Sequence, residues 1–497
     1  MSINQIGDYN NDLFVNLHDL NILKEGWLSN TYDINDLTIL LTNWEKSFDL
    51  NTNNISLTEP QSSLSSTTVK SASKEFVLVG FGQHNSSTVN PKTIDVFTHN
   101  DSTNKFYKHK QMTFTELSIT NLSDKEAAIN LTYNDDISYG LFWLGRGDNS
   151  NIQSSVTCFK CSNGDVNFQN IISSTQTLGD DRYNPAVTKI TRSDGQELAL
   201  FSGGINDTSF GTSSGDVDIF TCNDTSVNYE GRITLNVPRR DHGSTWLRSA
   251  NGSKYVLFAG GRNAFHQNNA TSTEFLFDAE LWSFNESNNQ FSYVNSISFL
   301  DNKTWKTYTG LKYYKFDNNM VTLVSPTNDS YAIFHGRSEG GRDSSHSRYG
   351  YTDYFIFKCN DDGVYYEKDI SVWDGGGTEN PNINTATGQR SFTTVSSFKG
   401  TDGLDYAIFS GCVKRLTALY GFNTRQTNES DILFCNDDGV FYHKRVEYDT
   451  TARNYSTSST YADKYVFISG GEIYHAGGIH DAVSHVDVFT AKSDRFL

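Results

Sequence analysis

The sequence predicts an all-β protein: a seven-bladed β-propeller of four-stranded blades, with a small α-helical appendage at its N-terminus. Three observations predict it. A short apolar run ending in glycine recurs seven times. Each copy is followed by a polar loop and then by an apolar hairpin with an Asn/Asp/Gly turn. Aromatic residues reach 13% while Met (3) and Pro (6) are scarce, a composition that suits strands.

The runs are FVLVGFG from Phe76, LFWLGRG from Leu141, LALFSGG from Leu198 and YVLFAGG from Tyr255, then YAIFHGR from Tyr331, YAIFSGC from Tyr406 and YVFISGG from Tyr465. Successive copies start 57 to 76 residues apart. A repeat of this length holding four strands is a propeller blade. Asn-Asp-Asp-Gly at Asn360 and again at Asn436 is a strong hairpin signal, because these residues tolerate positive φ. A stretch opened by Arg182, Arg239, Arg390 or Arg453 precedes most of the later runs. Each unit therefore reads as strands a to d, with the double glycine ending strand b and an acid opening strand c. The seventh unit stops soon after strand c. Asn53–Thr58 is expected to supply its missing strand and lock the ring without an open edge. The expected division is an N-terminal module over 1–50 and a propeller over 51–497.

The double glycine, the c-strand acid and the arginine before strand a resemble kelch repeats over residues 53–497, although the Trp expected near the end of a kelch repeat is mostly absent. This resemblance implies a propeller of the galactose-oxidase-like kelch type.

Residues 7–48 follow another pattern. Asp8, Asn10, Asp12, Phe14, Asn16 and Asp19 occupy positions 1, 3, 5, 7, 9 and 12 of a loop. Calcium needs this spacing: alternate side-chain oxygens wrap a hard cation, position 7 gives a carbonyl and position 12 closes the site. The tail DLNILK, echoed by YDINDLTILL with Asp33 and Asp36, resembles a dockerin repeat. Leu13 stands where that family places a glycine. The resemblance implies a bound calcium ion and a protein partner docked through this module.

A formal charge of −18 repels phosphate backbones, so no nucleic-acid partner is expected. No apolar run approaches the roughly 18 residues that span a bilayer, so no membrane insertion is expected. MSINQIGDYNND lacks the basic and apolar regions of a signal peptide. Cys161, Cys222, Cys359 and Cys435 fall at one place in four different blades, beyond the roughly 7 Å that a disulfide bridges. Free thiols and the absent leader pattern point to folding in a cytosol, with a virion or cell surface as the final site.

In such a blade the bc and da loops share one face, and the ab and cd turns share the other. The cd turns are rich in Asn and Asp. The opposite face gathers Arg240, His242, Arg262, Arg337, Arg342, Arg348, Arg415, Arg425, His475 and His480. These are the expected ligand-binding residues, for an acidic protein or an anionic glycan. The long loops of blades five and six have no folding need for their length, which marks them as binding loops. No nucleophile-elbow, zinc-protease or P-loop motif is present. The expected function is a non-catalytic binding or assembly protein, attached through its calcium module. A carbohydrate-active enzyme or lectin and a cytosolic kelch adaptor are the alternatives.

Overall fold

The computed structural model describes residues 48–61, 64–72, 74–82, 93–114, 127–144, 154–173, 178, 182–206, 213–263, 276–299, 314–338, 351–373, 389–391, 394–410, 413–418, 421–426, 429–447, 456–474 and 480–491. Among the described residues there is no helix. The six residues expected to bind calcium lie outside the described residues, as does the rest of the expected helical module through residue 47.

Seven antiparallel sheets form the blades, each a path of four strands, and the seventh carries Glu472–Tyr474 as a fifth strand beside its c strand. Blade 1 holds Ser65–Ser71, Lys74–Gly80, Thr93–Asn100 and Lys105–Thr113. Blade 2 runs from Ala127–Asn134 to Asp165–Ser173, blade 3 from Ala186–Thr191 to Val227–Thr234 and blade 4 from Gly243–Arg248 to Gln290–Ser298. Blade 5 runs from Tyr314–Val324 to Gly363–Trp373 and blade 6 from Thr394–Lys399 to Gly439–Glu447. Blade 7 takes Thr457–Tyr461, Tyr465–Ser469 and His480–Ala491 from the end of the chain, and its outer strand, Phe48–Gln61, from the start. That strand pairs with His480–Ala491 through two register shifts, between Asn51 and Ile55 and between Ser56 and Gln61.

The a strands touch one another in a closed circle, blade 1 on blade 2 and so round to blade 7 on blade 1. Hydroxyls lace this inner ring: Thr322 donates to Trp246 O at 2.6 Å and Thr460 to Ser397 O at 2.6 Å. Strands b and c are buried along most of their length, as in Glu197–Ser202 and Asp216–Cys222 of blade 3. Strand d is largely exposed, as in Gln290–Ser298.

The core is divided into seven apolar clusters, one between each pair of neighbouring blades. Each sheet is thus buried on both faces, which explains b strands that read as unbroken apolar runs. Cys158 and Cys222 belong to the cluster between blades 2 and 3, and Cys161 to that between blades 1 and 2. All five described cysteines are free and buried. Burial pushes the thiols of Cys161, Cys222 and Cys359 up to about 12.

The double glycine has a steric cause. A Cβ on Gly203 would sit 2.2 Å from Arg239 O and 2.6 Å from His242 Cε1, and its φ is +58°. Only glycine lets the end of strand b meet the loop that enters the next blade at that distance.

Candidate functional site

The face carrying the bc and da loops is described best at blades 3 and 4. Two loops of equal geometry enter these blades. Asn184 and Asp241 hold the same place in them, both with positive φ, at 57° and 51°. Tyr183 bridges to Ile205, and Arg240 bridges to Arg262. The Arg240 and Arg262 main chains exchange hydrogen bonds, N–H to O at 3.1 and 2.9 Å. Asp241 lies 3.6 Å from Arg262 Nε and accepts from Asn184 Nδ2 at 3.2 Å. Ser213 Oγ donates to Arg262 O at 2.9 Å. The result is a polar mouth where the Arg240 and Arg262 main chains are joined and Asp241 lies beside Arg262.

The expected face residues are placed differently from one another. Arg262 is a quarter exposed, at 25% of its side chain. Arg240 is nearly buried. His242 is fully buried, with Nε2 3.0 Å from Ser202 Oγ. Burial first, and then the neighbouring Arg239 cation, lower its pKa to about 3, so it is neutral at ordinary pH. Arg337 lies in strand b of blade 5, Ser330–Ser338. Arg415 and Arg425 lie in strands Val413–Ala418 and Gly421–Gln426, and His480 opens the c strand of blade 7. For these four the structure describes the backbone alone. Arg342, Arg348 and His475 lie outside the described residues.

Strands Val413–Ala418 and Gly421–Gln426 form a hairpin inside the bc connection of blade 6. Gln389–Ser391 adds a third strand, giving a small sheet apart from the blade itself. Sequence reasoning took this segment for a long loop. The alternation in VKRLTA and the Leu-Tyr-Gly that follows it were the available signal.

The arginine before strand a has a structural position in blades 3 and 4. Arg182 and Asp218 are fully buried, with Nη2 and Oδ2 2.7 Å apart. Arg182 Nη2 donates to Phe201 O at 3.0 Å, and its guanidinium lies 4.6 Å from the centre of the Trp143 ring. Arg239 donates to Asp278 Oδ1 at 2.9 Å and lies 3.6 Å from Glu280. The c-strand acids also hold the preceding blade. Thr58 of the blade 7 closing strand donates its N–H to Asp95 at 2.7 Å, and Val237 N–H donates to Glu280 at 2.8 Å.

On the opposite face, acids of the cd turns join neighbouring blades. Asn251 N–H donates to Asp361 at 2.8 Å, Thr327 N–H to Asp437 at 3.1 Å and Ser193 N–H to Glu286 at 3.1 Å. Three of the acids that make this face look like a charged surface in the sequence, Glu286, Asp361 and Asp437, are therefore interblade acceptors. Among the described residues no group of three or more His, Cys, Asp or Glu could hold a metal ion.

The fold and this face define the class: a seven-bladed β-propeller with an elaborated loop face. No family model and no curated protein matches the chain. Solved structures of similar shape include a polysaccharide lyase of family PL25, an ulvan lyase, at 9% identity and a TM-score of 0.45, covering 87% of this chain and 96% of that one. The GH93 α-L-arabinofuranosidase of Fusarium graminearum with arabinobiose matches at 10% identity and a TM-score of 0.41, covering 72% and 91%. The Saccharomyces cerevisiae protein Sqt1 matches at 8% identity and a TM-score of 0.41, covering 87% and 88%. Likenesses this distant carry no assignment of ligand or activity.

Proposed function

We propose that this protein is a non-catalytic binding and assembly protein of the kelch type. Its loop face takes an anionic ligand, and its N-terminal dockerin-like module attaches it to a protein partner through calcium. The observation that carries the reading is the blade 4 mouth, where main-chain hydrogen bonds hold Arg240 and Arg262 together and Arg262 reaches solvent. A rigid scaffold that fixes a cation at a loop mouth is suited to recognising carboxylate or sulfate groups. The kelch reading is supported by the buried Arg182–Asp218 pair and the close approach at Gly203. The calcium reading is supported by the spacing of Asp8, Asn10, Asp12, Phe14, Asn16 and Asp19. A virion or cell-surface assembly, entered after folding in a cytosol, completes the reading.

The loop face is tested by retention of the full chain on beads of polygalacturonate and of poly-L-glutamate. Retention on either, weakened by R262A together with R337A and R415A, supports the reading. Equal retention of wild type and variant overturns it. The module is tested by calorimetric titration with calcium chloride. One chelator-reversible site, lost in the D8A/D12A variant, is the expected result, and no calcium uptake by the wild type would sink it.

A further inference from the structure

Blades 7 and 1 meet where the ring closes, and the ab-turn end of this seam differs from two seams that otherwise match it. At all three an acid at the start of strand b accepts a main-chain N–H from the end of strand a in the preceding blade. Thr132 N–H donates to Glu197 Oε2 at 2.6 Å between blades 2 and 3, and Val324 N–H to Asp405 Oδ2 at 2.9 Å between blades 5 and 6. Ala462 N–H donates to Glu75 Oε1 at 2.9 Å between blades 7 and 1. In the first two seams a lysine from strand a of the acid's own blade neutralises it. Lys189 lies 2.9 Å from Glu197, and Lys399 lies 2.9 Å from Asp405. Lys70, the residue directly opposite Glu75, lies 4.0 Å from Asp135 of blade 2 instead. Among the described residues no ion pair to Glu75 is formed.

The turn that Glu75 holds is strained. The ab turns of blades 3, 4 and 6 place Gly195, Gly252 and Gly403 at positive φ, and that of blade 5 places Asn328 there. The ab turn of blade 7 places Ala462 and Asp463 there in succession, both at φ 51°. A Cβ disfavours this conformation, and alanine has no polar side chain to ease it. The turn is gripped from both sides: Lys399 N–H of blade 6 donates to Asp463 O at 2.6 Å, and Glu75 of blade 1 accepts from Ala462. Burial chiefly, and then Asp463, push the Glu75 carboxyl up to about 7, against the Ala462 bond and the Lys70 charge. The remaining titratable groups at this corner are Lys74, His99 and Asp101 of blade 1 and Tyr461, Lys464 and Tyr465 of blade 7. The loop-face end of the same seam is joined separately, by Thr58 N–H to Asp95 at 2.7 Å and Gly82 N–H to Gln61 Oε1 at 3.0 Å.

We propose that Glu75 is a proton-operated latch on the closing blade: protonated, it holds the strained Ala462–Asp463 turn against blade 1, and on ionisation that turn swings free while the loop-face end of the seam stays joined. Opening returns the carboxyl to water and to its ordinary value of 4.5. The closed corner therefore binds the proton more tightly than the open one. Closure is strongest below pH 4.5, weakens as pH rises to 7 and changes no further above that. The seams at Glu197 and Asp405 have their lysines and no paired left-handed residues in the turn they hold, so they lack both parts of the device. The latch is independent of what the loop face binds.

The test is hydrogen exchange of the full chain, read by mass spectrometry from pH 5 to 8 and corrected for the intrinsic exchange rate at each pH. Protection of the blade 7 hairpin, residues 457–469, should fall about tenfold over this range, while Ala127–Asn134 at the blade 2–3 seam and the closing strand Phe48–Gln61 change by less than about twofold. E75Q should keep the hairpin at its pH 5 protection throughout. D463N, which removes the neighbouring charge, should shrink the step. A462G relieves the turn without touching a charge, so it should slow opening at every pH and keep the step. A hairpin whose protection is flat with pH in the wild type overturns the latch. So does a step that survives E75Q, or one removed by H99Q with Glu75 intact, which would belong to the histidine. A step abolished by A462G means that strain and not the proton operates the turn. Equal loss of protection in Phe48–Gln61 means that the whole blade leaves, and it overturns a latch confined to one end of the seam.

Discussion

Two arginine–aspartate pairs sit one blade apart and differ in almost every physical respect. Arg182 and Asp218 are 2.7 Å apart with neither side chain exposed, between the apolar walls of blades 2 and 3. Arg262 and Asp241 are 3.6 Å apart at the mouth of blade 4, with 25% and 18% of their side chains exposed. The first pair is held by the fold from all sides. Trp143 Nε1 and Ser154 Oγ donate to Arg182 O at 3.1 and 2.7 Å, and Tyr229 OH donates to Asp218 Oδ1 at 2.9 Å. The second is held by its main chain, which leaves the guanidinium at the surface. The same residue types therefore serve two ends. Inside, charge is sealed within the packing of the blades; at the mouth, part of it reaches solvent.

The sharpest way to break this contrast is to remove one partner from the inner pair. Asp218→Ala removes the carboxylate 2.7 Å from the buried Arg182 guanidinium, which costs about 3–5 kcal/mol. Urea unfolding followed by tryptophan fluorescence should show a large fall in midpoint. A fall no larger than that of a surface substitution would mean that the inner pair is not what joins blades 2 and 3.

Two titratable groups sharpen the contrast in opposite directions. His242 is buried behind the blade 4 mouth and has its pKa lowered to about 3, against 6.5 in the unfolded chain. Below pH 6.5 the unfolded chain takes up a proton that the folded one refuses, so stability falls with acidification. By pH 4.5 the loss is on the order of 2–3 kcal/mol. His242→Gln should flatten that acid limb. Glu75 lies at the seam between blades 7 and 1, where it accepts from Ala462 N–H at 2.9 Å. Burial chiefly, and then nearby Asp463, raise its pKa to about 7, while the Ala462 bond and Lys70 oppose this. The folded form holds its proton where the unfolded chain has lost it, so stability falls as pH rises from 4.5 to 7. Allowing for solvent screening, Glu75→Gln should gain about 1–2 kcal/mol at pH 8 and nothing at pH 4. Midpoints measured across pH 4 to 8 in the wild type and both variants check both signs, and parallel curves would refute them.

The blades were legible because steric need repeats. The glycine run marks the end of strand b even in blade 1, where Phe81 takes the left-handed conformation, φ 58°, that Gly203, Gly260 and Gly470 take elsewhere. The Asn-Asp turns were legible for a similar reason, since Asn100 and Asn223 fold back to accept from the N–H two residues on, at 3.0 and 2.8 Å. The site was less legible. RRDHG reads as a polar loop. Yet Arg239 and His242 are buried in it, because Gly203 and Gly261 of two different blades close over them. That burial is set by residues about 20 to 40 positions away in the chain and has no local signature. The blade 6 hairpin was missed because turn-rich loops and short edge strands share a composition.

The smallest expected effect is the one that defines the mouth as a site and not a strut. Arg262→Gln removes a partly exposed guanidinium 3.6 Å from a carboxylate, an interaction worth about 0.2–1 kcal/mol. The bridge to Arg240 uses main-chain N–H and C=O groups, and Ser213 donates to the Arg262 carbonyl, so neither depends on the side chain. Stability should stay within about 1 kcal/mol of wild type, well short of the Asp218→Ala loss. If Arg262→Gln instead lowers the urea midpoint as far as Asp218→Ala does, the outer pair is a structural joint like the inner one. Charge at the mouth would then be needed by the fold itself, and the case for a ligand there would lose its physical basis.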